Sequence, residues 1–367
     1  MKYVVNTIWN HPNDINWNQM KKYLIFLLIF TMCASPETKP VQQSSAEVNE
    51  QAPQTTFENV ETTTTTTTLQ QINDDYEQDG SILLNWMSQL PNNTLLSDIS
   101  IPGTHDSGST LDAKVGGLTI TDTAKTQDLT ISEQLSIGVR FFDIRLILEN
   151  NELEVYHSTV KQNLSFREVL NDVYRFLDQH PSEALIMSIR KEGDDIGDNT
   201  VLFEEKVNNL IQSGKKYWLL DEKIATLEDA RSKITLLRRY PTESNYSIGI
   251  NASQNWKDKA TFTIQLDNMS LSVQDEYFVE DNNEKWSSIL NQFEASDNEN
   301  TLSLNFTSGY QIRTILGQEA PSILNVSNEI NTLLIKHLQD NPKKDYGILI
   351  VDYISTELAK LIIDSNF

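Results

Sequence analysis

The chain has 367 residues, with 29 Lys or Arg against 52 Asp or Glu, for a formal charge of −23. So acidic a chain excludes a nucleic-acid binder, which needs basic surface to displace counterions, and non-specific adsorption to an anionic membrane. The lone cysteine, Cys33, excludes an intramolecular disulfide, a Cys-based metal site and thiol catalysis in the core.

Residues 1–33 read as an N-terminal extension ending in a signal segment. Residues 1–19 are polar and irregular, and Met20 reads as the true start. Two lysines, a short apolar run from Tyr23 to Met32 and small residues before Pro36 have the layout of an export signal. The run is shorter than the ~20 residues a membrane-spanning helix needs. Cys33 stands where a lipoprotein signal places its acylated cysteine, although Met32 fits that box loosely. The alternative is cleavage near Ala34 or Ser35. The expected location is therefore exported: tethered through Cys33, or secreted. Residues 34–80, with the threonine run Thr62 to Thr68, are low in complexity and read as a disordered tether.

From residue 81 to Phe367 the pattern is globular, and long enough for one large domain. Helical spacing covers 81–90. An apolar run, Leu95 to Ile101, predicts a strand that ends at a Pro102-Gly103 turn and presents His105 and Asp106. Residues 110–130 show little periodicity. A short helix over 131–139 follows, then strands over 140–148 and 153–158, joined too closely for a helix between them. Residues 165–181 are an amphipathic helix with a Ser cap, stopped at Pro181. Strands are predicted over 184–192, 233–241, 260–267, 301–310 and 346–355. Helices are predicted over 200–214, 280–295, 321–342 and at the C-terminus. Apolar strands alternating with amphipathic helices imply a parallel sheet covered by helices. About eight strand candidates fit a distorted TIM barrel of (βα)8 type better than an open sheet. No Gly-rich phosphate loop stands at a strand-helix turn, so nucleotide binding has no support.

A barrel carries its active residues where strands end. The first strand supplies His105 and Asp106, the second Asp143 and Arg145, and 153–158 supplies His157. Arg190, Lys191 and Glu192 follow, then Arg238 and Arg239, then Asp275 and Tyr277, and lastly Asp352. Two histidines, each with a carboxylate to fix its tautomer, make a base and an acid. An arginine between them suits a phosphate, which it grips in bidentate fashion. No HxH or HExxH cluster supports a zinc site, and no cofactor is expected. The expected chemistry is metal-free phosphodiester cleavage. His180 and His337, near helix ends, read as dipole partners or surface residues.

The ordered set IPGTHDSG, GVRFFDIR, VYHS, EALIMSIRKE, LLRRY, VQDEY and IVDYI resembles the bacterial phosphatidylinositol-specific phospholipases C, from Asn85 to Phe367. The resemblance implies a distorted TIM barrel. It also implies cleavage of phosphatidylinositol, or of a glycosylated form, to diacylglycerol and inositol 1,2-cyclic phosphate. Carried across, His105 would be the general base, oriented by Asp352. His157, supported by Asp106, would be the general acid. Arg145 would stabilise charge on the phosphate, with Asp143 holding that arrangement. Arg190, Arg239, Asp275 and Tyr277 would form the inositol pocket. The family commonly has Lys where this chain has Arg190. An arginine at 145 stands where calcium-dependent relatives gather acidic ligands, so metal independence is expected. The expected partners are an inositol phospholipid and, transiently, a membrane surface; the expected state is a monomer. Trp256 either contacts that surface or packs on the domain. The rivals are a metal-dependent glycerophosphodiester phosphodiesterase and a non-catalytic inositol- or glycan-binding surface lipoprotein. The first would need acidic ligands in place of Arg145; a missing histidine would have favoured the second.

Overall fold

The computed structural model describes residues 82–193, 200–242, 248–295, 300–315 and 317–367. The expected signal segment, Cys33 and the Thr-rich tether lie outside the described residues.

Sixteen strands are described. They are β1 (Ile101–Thr104), β2 (Ala113–Val115), β3 (Leu118–Ile120), β4 (Phe141–Glu149), β5 (Glu152–His157), β6 (Val160–Ser165), β7 (Leu185–Lys191), β8 (Trp218–Leu219), β9 (Ile234–Arg239), β10 (Ile250–Asn251), β11 (Ala260–Gln265), β12 (Ser270–Asp275), β13 (Thr301–Phe306), β14 (Gln311–Ile315), β15 (Gln318–Ser322) and β16 (Ile348–Val351). The helices are α1 (Ile131–Ser136), α2 (Phe166–Gln179), α3 (Thr200–Ser213), α4 (Leu227–Ala230), α5 (Asn282–Ala295), α6 (Leu324–Asp340) and α7 (Thr356–Asp364).

The main sheet runs β10-β9-β7-β4-β1-β16-β13-β12-β11. Along this path every neighbouring pair from β10 to β12 is parallel and β11 joins antiparallel; off it, β5 pairs antiparallel with β4 and β6 with β5. β10 and β11 share no ladder among the described residues, so the barrel is distorted and open there. Side chains bridge the gap: Ile250, Phe262 and Ile264 join one buried cluster.

Strand parity divides the core in two. Ile101, Phe141, Ile186, Leu237, Leu271, Val273, Leu304 and Ile350 fill the barrel interior. The alternate residues, such as Phe142, Ile144, Met187, Leu236 and Leu349, meet the helices outside. Helix α2 shows how local sequence sets this up. Ser165 and Glu168 form a capping box at its start. Phe166, Val169, Leu170, Val173, Phe176 and Leu177 then form one buried face, each worth roughly 1.5–3 kcal/mol of burial.

Four expectations need correction. The strand expected over Leu95 to Ile101 is displaced: Leu96–Asp98 is a 3-10 turn, and Pro102 and Gly103 lie inside β1, not in a turn after it. Gly103 is there for space: an added Cβ would sit 3.0 Å from Phe141 Cβ and 3.2 Å from Leu349 O. Residues 260–267 supply the antiparallel edge, while 270–275 is the barrel strand. The last long helix starts at Leu324, because Pro321 and Ser322 pair with β14. Of the two readings of His337 only the surface one fails: it stands in the last turn of α6 and packs among Phe293, Trp286 and Tyr346.

Candidate active site

Parity carries the site upward from the barrel core. Asp143 and Arg145 continue the inward row of Phe141, and Ser188 and Arg190 continue that of Ile186. Arg239 follows Leu237, Asp275 follows Val273, and Asp352 follows Ile350. His105 extends the row of Ile101 one residue past β1. A period of two thus delivers these polar side chains to the C-terminal mouth of the sheet. His157 arrives differently, from the end of β5, which pairs antiparallel with β4.

His105 Nδ1 lies 2.8 Å from Asp352 Oδ1, and the other Asp352 oxygen accepts the Gly309 N–H at 3.2 Å. Arg145 Nη2 stands 2.8 Å from His105 Nε2. A guanidinium can only donate, so Nε2 is the acceptor and Nδ1 carries the proton. Burial pulls the His105 pKa down, but the charge and hydrogen bond of Asp352, with help from Asp106, raise it above 6.5 despite Arg145.

Arg145 is held on two sides. Asp143 accepts from its Nε at 3.2 Å and its Nη2 at 3.1 Å, and Asp106 Oδ2 lies 3.0 Å from Nη1. Burial would lower the proton affinity of this guanidinium, and Asp106 and Asp143 raise it above its ordinary value. Asp143, fully buried, also accepts from Ser188 Oγ at 3.0 Å and Arg239 Nη1 at 3.2 Å. Burial favours its neutral form, but Arg145 and Arg239 hold it well below the usual carboxylate range.

Asp106 Oδ2 faces three cationic or basic groups: Arg145, His105 Nε2 at 3.3 Å and His157 Nε2 at 3.5 Å. The rings of His105 and His157 are 6.1 Å apart and nearly perpendicular. His157 Nδ1 donates to the Ala124 carbonyl at 2.5 Å. This corrects the expectation of a carboxylate fixing each tautomer: for His157 the fixing group is backbone, and Asp106 faces the other nitrogen. The residues following His105, His157 and Asp352 all take positive φ: Asp106 at 41°, Ser158 at 54° and Tyr353 at 51°. The sharp bend at Asp106 leaves His105 to Asp352 and turns the Asp106 carboxylate toward His157, with Arg145 shared between the two. Such a backbone costs about 1–2 kcal/mol per non-glycine residue and persists only where the surroundings enforce it.

Beside this cluster opens a cleft of about 480 Å³, walled by Arg190, Arg239, Trp256, Asp258, Asp275 and Tyr277. Arg239 links cleft and cluster. Its guanidinium lies 3.6 Å over the Trp256 ring, 3.2 Å from Asp143 and 3.9 Å from Asp275. Burial lowers its pKa to about 10 against the pull of Asp143 and Asp275. Trp256 Nε1 donates to Asp275 Oδ2 at 2.9 Å, and Tyr277 donates its hydroxyl to Asp258. Arg190 is the more exposed of the two arginines, 3.6 Å from Glu192.

A phosphatidylinositol-specific phospholipase C X-domain family model matches residues 99–240. A 1-phosphatidylinositol phosphodiesterase of Staphylococcus aureus strain Newman is 32% identical over 301 residues, covering 77% of this chain and 94% of the relative. The chain belongs to the phosphatidylinositol-specific phospholipase C family. A second phosphodiesterase of that name, from Listeria monocytogenes, is 31% identical over 291 residues, covering 77% of this chain and 84% of its own. A solved phospholipase C structure from Staphylococcus aureus superposes with a TM-score of 0.68 at 30% identity, covering 79% of this chain and 99% of that one. The Listeria phospholipase C structure gives 0.61 at 27% identity, covering 78% and 99%. These phospholipase C structures share the barrel described above.

The ten residues to which the family resemblance gave roles all stand in the cluster or its adjoining cleft; Arg238, also a strand-end candidate, turns outward. Sequence reasoning missed Ser188, Gln127 and the Ala124 carbonyl, and it left two places open for Trp256. Ser188 was findable, since it precedes Arg190 by two on the inward row. Gln127 donates to the carbonyls of His105 at 3.1 Å and Val351 at 2.8 Å, a backbone role with no sequence signature. Trp256 packs on Arg239, Phe262 and Phe306. The exposed large apolar residues include Leu111, Leu118 and Ile312, on or beside the two small hairpins β2-β3 and β14-β15, and Phe278.

Proposed function

We propose that this phospholipase C relative cleaves phosphatidylinositol by attack of the inositol 2-hydroxyl on its own phosphodiester, giving diacylglycerol and inositol 1,2-cyclic phosphate. The observation that carries the reading is one row of groups. An imidazole backed by Asp352, a guanidinium at 2.8 Å from it, and a second imidazole 6.1 Å away face one another at a cleft mouth. His105 Nε2 takes the 2-hydroxyl proton. The phosphorus–O2 bond forms, the bond to the glycerol oxygen breaks, and His157 Nε2 protonates that oxygen with Asp106 beside it. Arg145 neutralises charge on the phosphate. Terms of this kind are each worth about 10²–10⁴ in rate. Slower hydrolysis of the cyclic product runs with the two histidines exchanged. Arg190, Arg239, Asp275 and Tyr277 hold the inositol hydroxyls and ring; Arg190 in place of the family's lysine changes reach and hydrogen-bond geometry there.

The reaction needs no metal on this reading, because Arg145 already lies between the two carboxylates, Asp106 and Asp143, that would otherwise invite a cation. The same pairing disfavours the metal-dependent glycerophosphodiester phosphodiesterase reading. The paired histidines disfavour a binding-only lipoprotein. The protein works as an exported monomer, tethered through Cys33 or secreted, with no nucleic acid in its function. Transient membrane contact runs through Leu118 and Ile312, since Trp256 is committed to Arg239. The deciding assay is release of cyclic inositol phosphate from phosphatidylinositol in excess chelator. Turnover there, lost in His105→Ala, supports the reading. Turnover only with added calcium, or persistence in His105→Ala, overturns it.

A further inference from the structure

The segment 110–127, irregular in sequence, touches the site at three points. The Ala124 carbonyl accepts from His157 Nδ1, Thr126 Oγ1 donates to the Asp106 carbonyl at 3.0 Å, and Gln127 donates to the His105 carbonyl. Residues 121–127 belong to no helix or strand that would aim these groups. Asp112 does it instead. Four consecutive amides converge on its carboxylate: Asp122 N on Oδ2 at 3.0 Å, and Thr123, Ala124 and Lys125 N on Oδ1 at 2.9, 3.1 and 3.1 Å. A trans peptide points its N–H and C=O in opposite directions. Drawing the Lys125 N–H onto Asp112 therefore turns the Ala124 carbonyl of the same peptide away from Asp112 and toward His157. The next peptide is fixed as well, by the Tyr353 hydroxyl on the Lys125 carbonyl at 2.6 Å. Burial disfavours the charged form of Asp112, but these amide bonds outweigh it and keep the carboxylate ionised.

We propose that Asp112 is a positioning residue for the proton donor: through the Ala124–Lys125 peptide it holds His157 with Nδ1–H bonded to backbone and Nε2 turned to the leaving oxygen. The inference rests on His157 being the general acid. When His157 is protonated, the carbonyl stabilises the imidazolium. Once Nε2 has given up its proton, the bond keeps the remaining one on Nδ1, leaving Nε2 ready to activate water. Supports one bond removed from the reacting group typically matter by about 10–100-fold.

The test compares two soluble substrates: an inositol phosphodiester with an alkyl leaving group, and one with an acidic phenol that departs without protonation. His157→Ala should lose far more activity on the alkyl than on the aryl substrate. Asp112→Asn should lower kcat about 10–100-fold on the alkyl substrate and less than about threefold on the aryl one, with KM within about twofold. Equal losses on both substrates in His157→Ala would remove the acid assignment and the inference with it. A split in His157→Ala that is absent in Asp112→Asn overturns the inference alone. Nitrogen-15 spectra of histidine-labelled wild-type protein check it without relying on a variant. Neutral His157 is expected as the Nδ1–H tautomer; an Nε2–H tautomer refutes the proposal.

Discussion

Replacing Asp352 with Asn tests the base assignment in the least disruptive way, because size is kept and charge is lost. In the wild type one carboxylate oxygen takes the His105 Nδ1 proton at 2.8 Å and the other takes the Gly309 amide at 3.2 Å. An amide cannot serve both. With its oxygen toward His105, its NH2 meets the Gly309 N–H, donor against donor. With its oxygen toward Gly309, its NH2 faces Nδ1, and His105 must move its proton to Nε2, the position that should accept one. A charge-assisted hydrogen bond is worth about 1.5–3 kcal/mol, and the wrong tautomer removes the base altogether. The expected fall in kcat is about 10²–10⁴-fold, with KM for a soluble inositol phosphodiester within about threefold. The pH profile gives the sign. His105 must be neutral to act, so kcat/KM falls as pH drops through its raised pKa. Burial and Arg145 lower that pKa and the Asp352 charge raises it. Without the charge the acid limb moves to lower pH, even as the maximum rate falls. A limb that stays in place or moves up, or a kcat within about threefold of wild type, would refute the argument.

The fold and most of the site were legible because both rest on periodicity. An inward row that begins with Phe141 or Ile186 must end on Arg145 or Arg190, but position at a strand end alone put Arg238 beside Arg239, and only parity separates them. Arg239 faces the cleft, while its neighbour Arg238 turns outward and donates to the backbone of Ile248 and Tyr240. The stretch around Pro102 and Gly103 was misread in a physical sense. Pro-Gly is a common turn signal, yet Pro102 can lie within β1, where its carbonyl accepts from Arg140 N and Gly103 admits the neighbouring strands. The bend falls three residues later, on Asp106, a residue type that tolerates positive φ better than most. The hairpins β2-β3 and β14-β15, and the carbonyl that fixes His157, escaped because neither periodicity nor residue type marks a backbone acceptor. Asp112 is one more aspartate in an acidic chain until four amides are seen to meet on it.

Ser158 precedes no functional side chain and holds a left-handed backbone, so Ser158→Gly should raise the unfolding free energy by about 0.5–1 kcal/mol without reducing kcat. A drop in urea midpoint would show that the hydroxyl matters more than the strain. Trp256→Ala removes a cation–π contact and a hydrogen bond inside the cleft and should slow soluble and vesicle substrates alike, by roughly 10-fold. Leu118→Ser with Ile312→Ser should slow vesicle turnover only, and the reverse pattern would return the membrane role to Trp256. The last test concerns the opposite end of the barrel, where Arg140 and Glu183 form a fully buried pair at 2.9 Å. Glu183→Ala should cost about 3–5 kcal/mol in urea unfolding by stranding the guanidinium, while kcat below the transition stays unchanged. Replacing both partners by apolar residues often restores stability to a buried pair, but here it should not. Arg140 also donates to the carbonyls of Leu83, Leu84, Leu135 and Val139, and each buried acceptor left without a donor costs about 1–3 kcal/mol. If Arg140→Met with Glu183→Leu matched the wild-type midpoint, those four bonds would be dispensable, and the charge pair alone would account for the cost of Glu183→Ala.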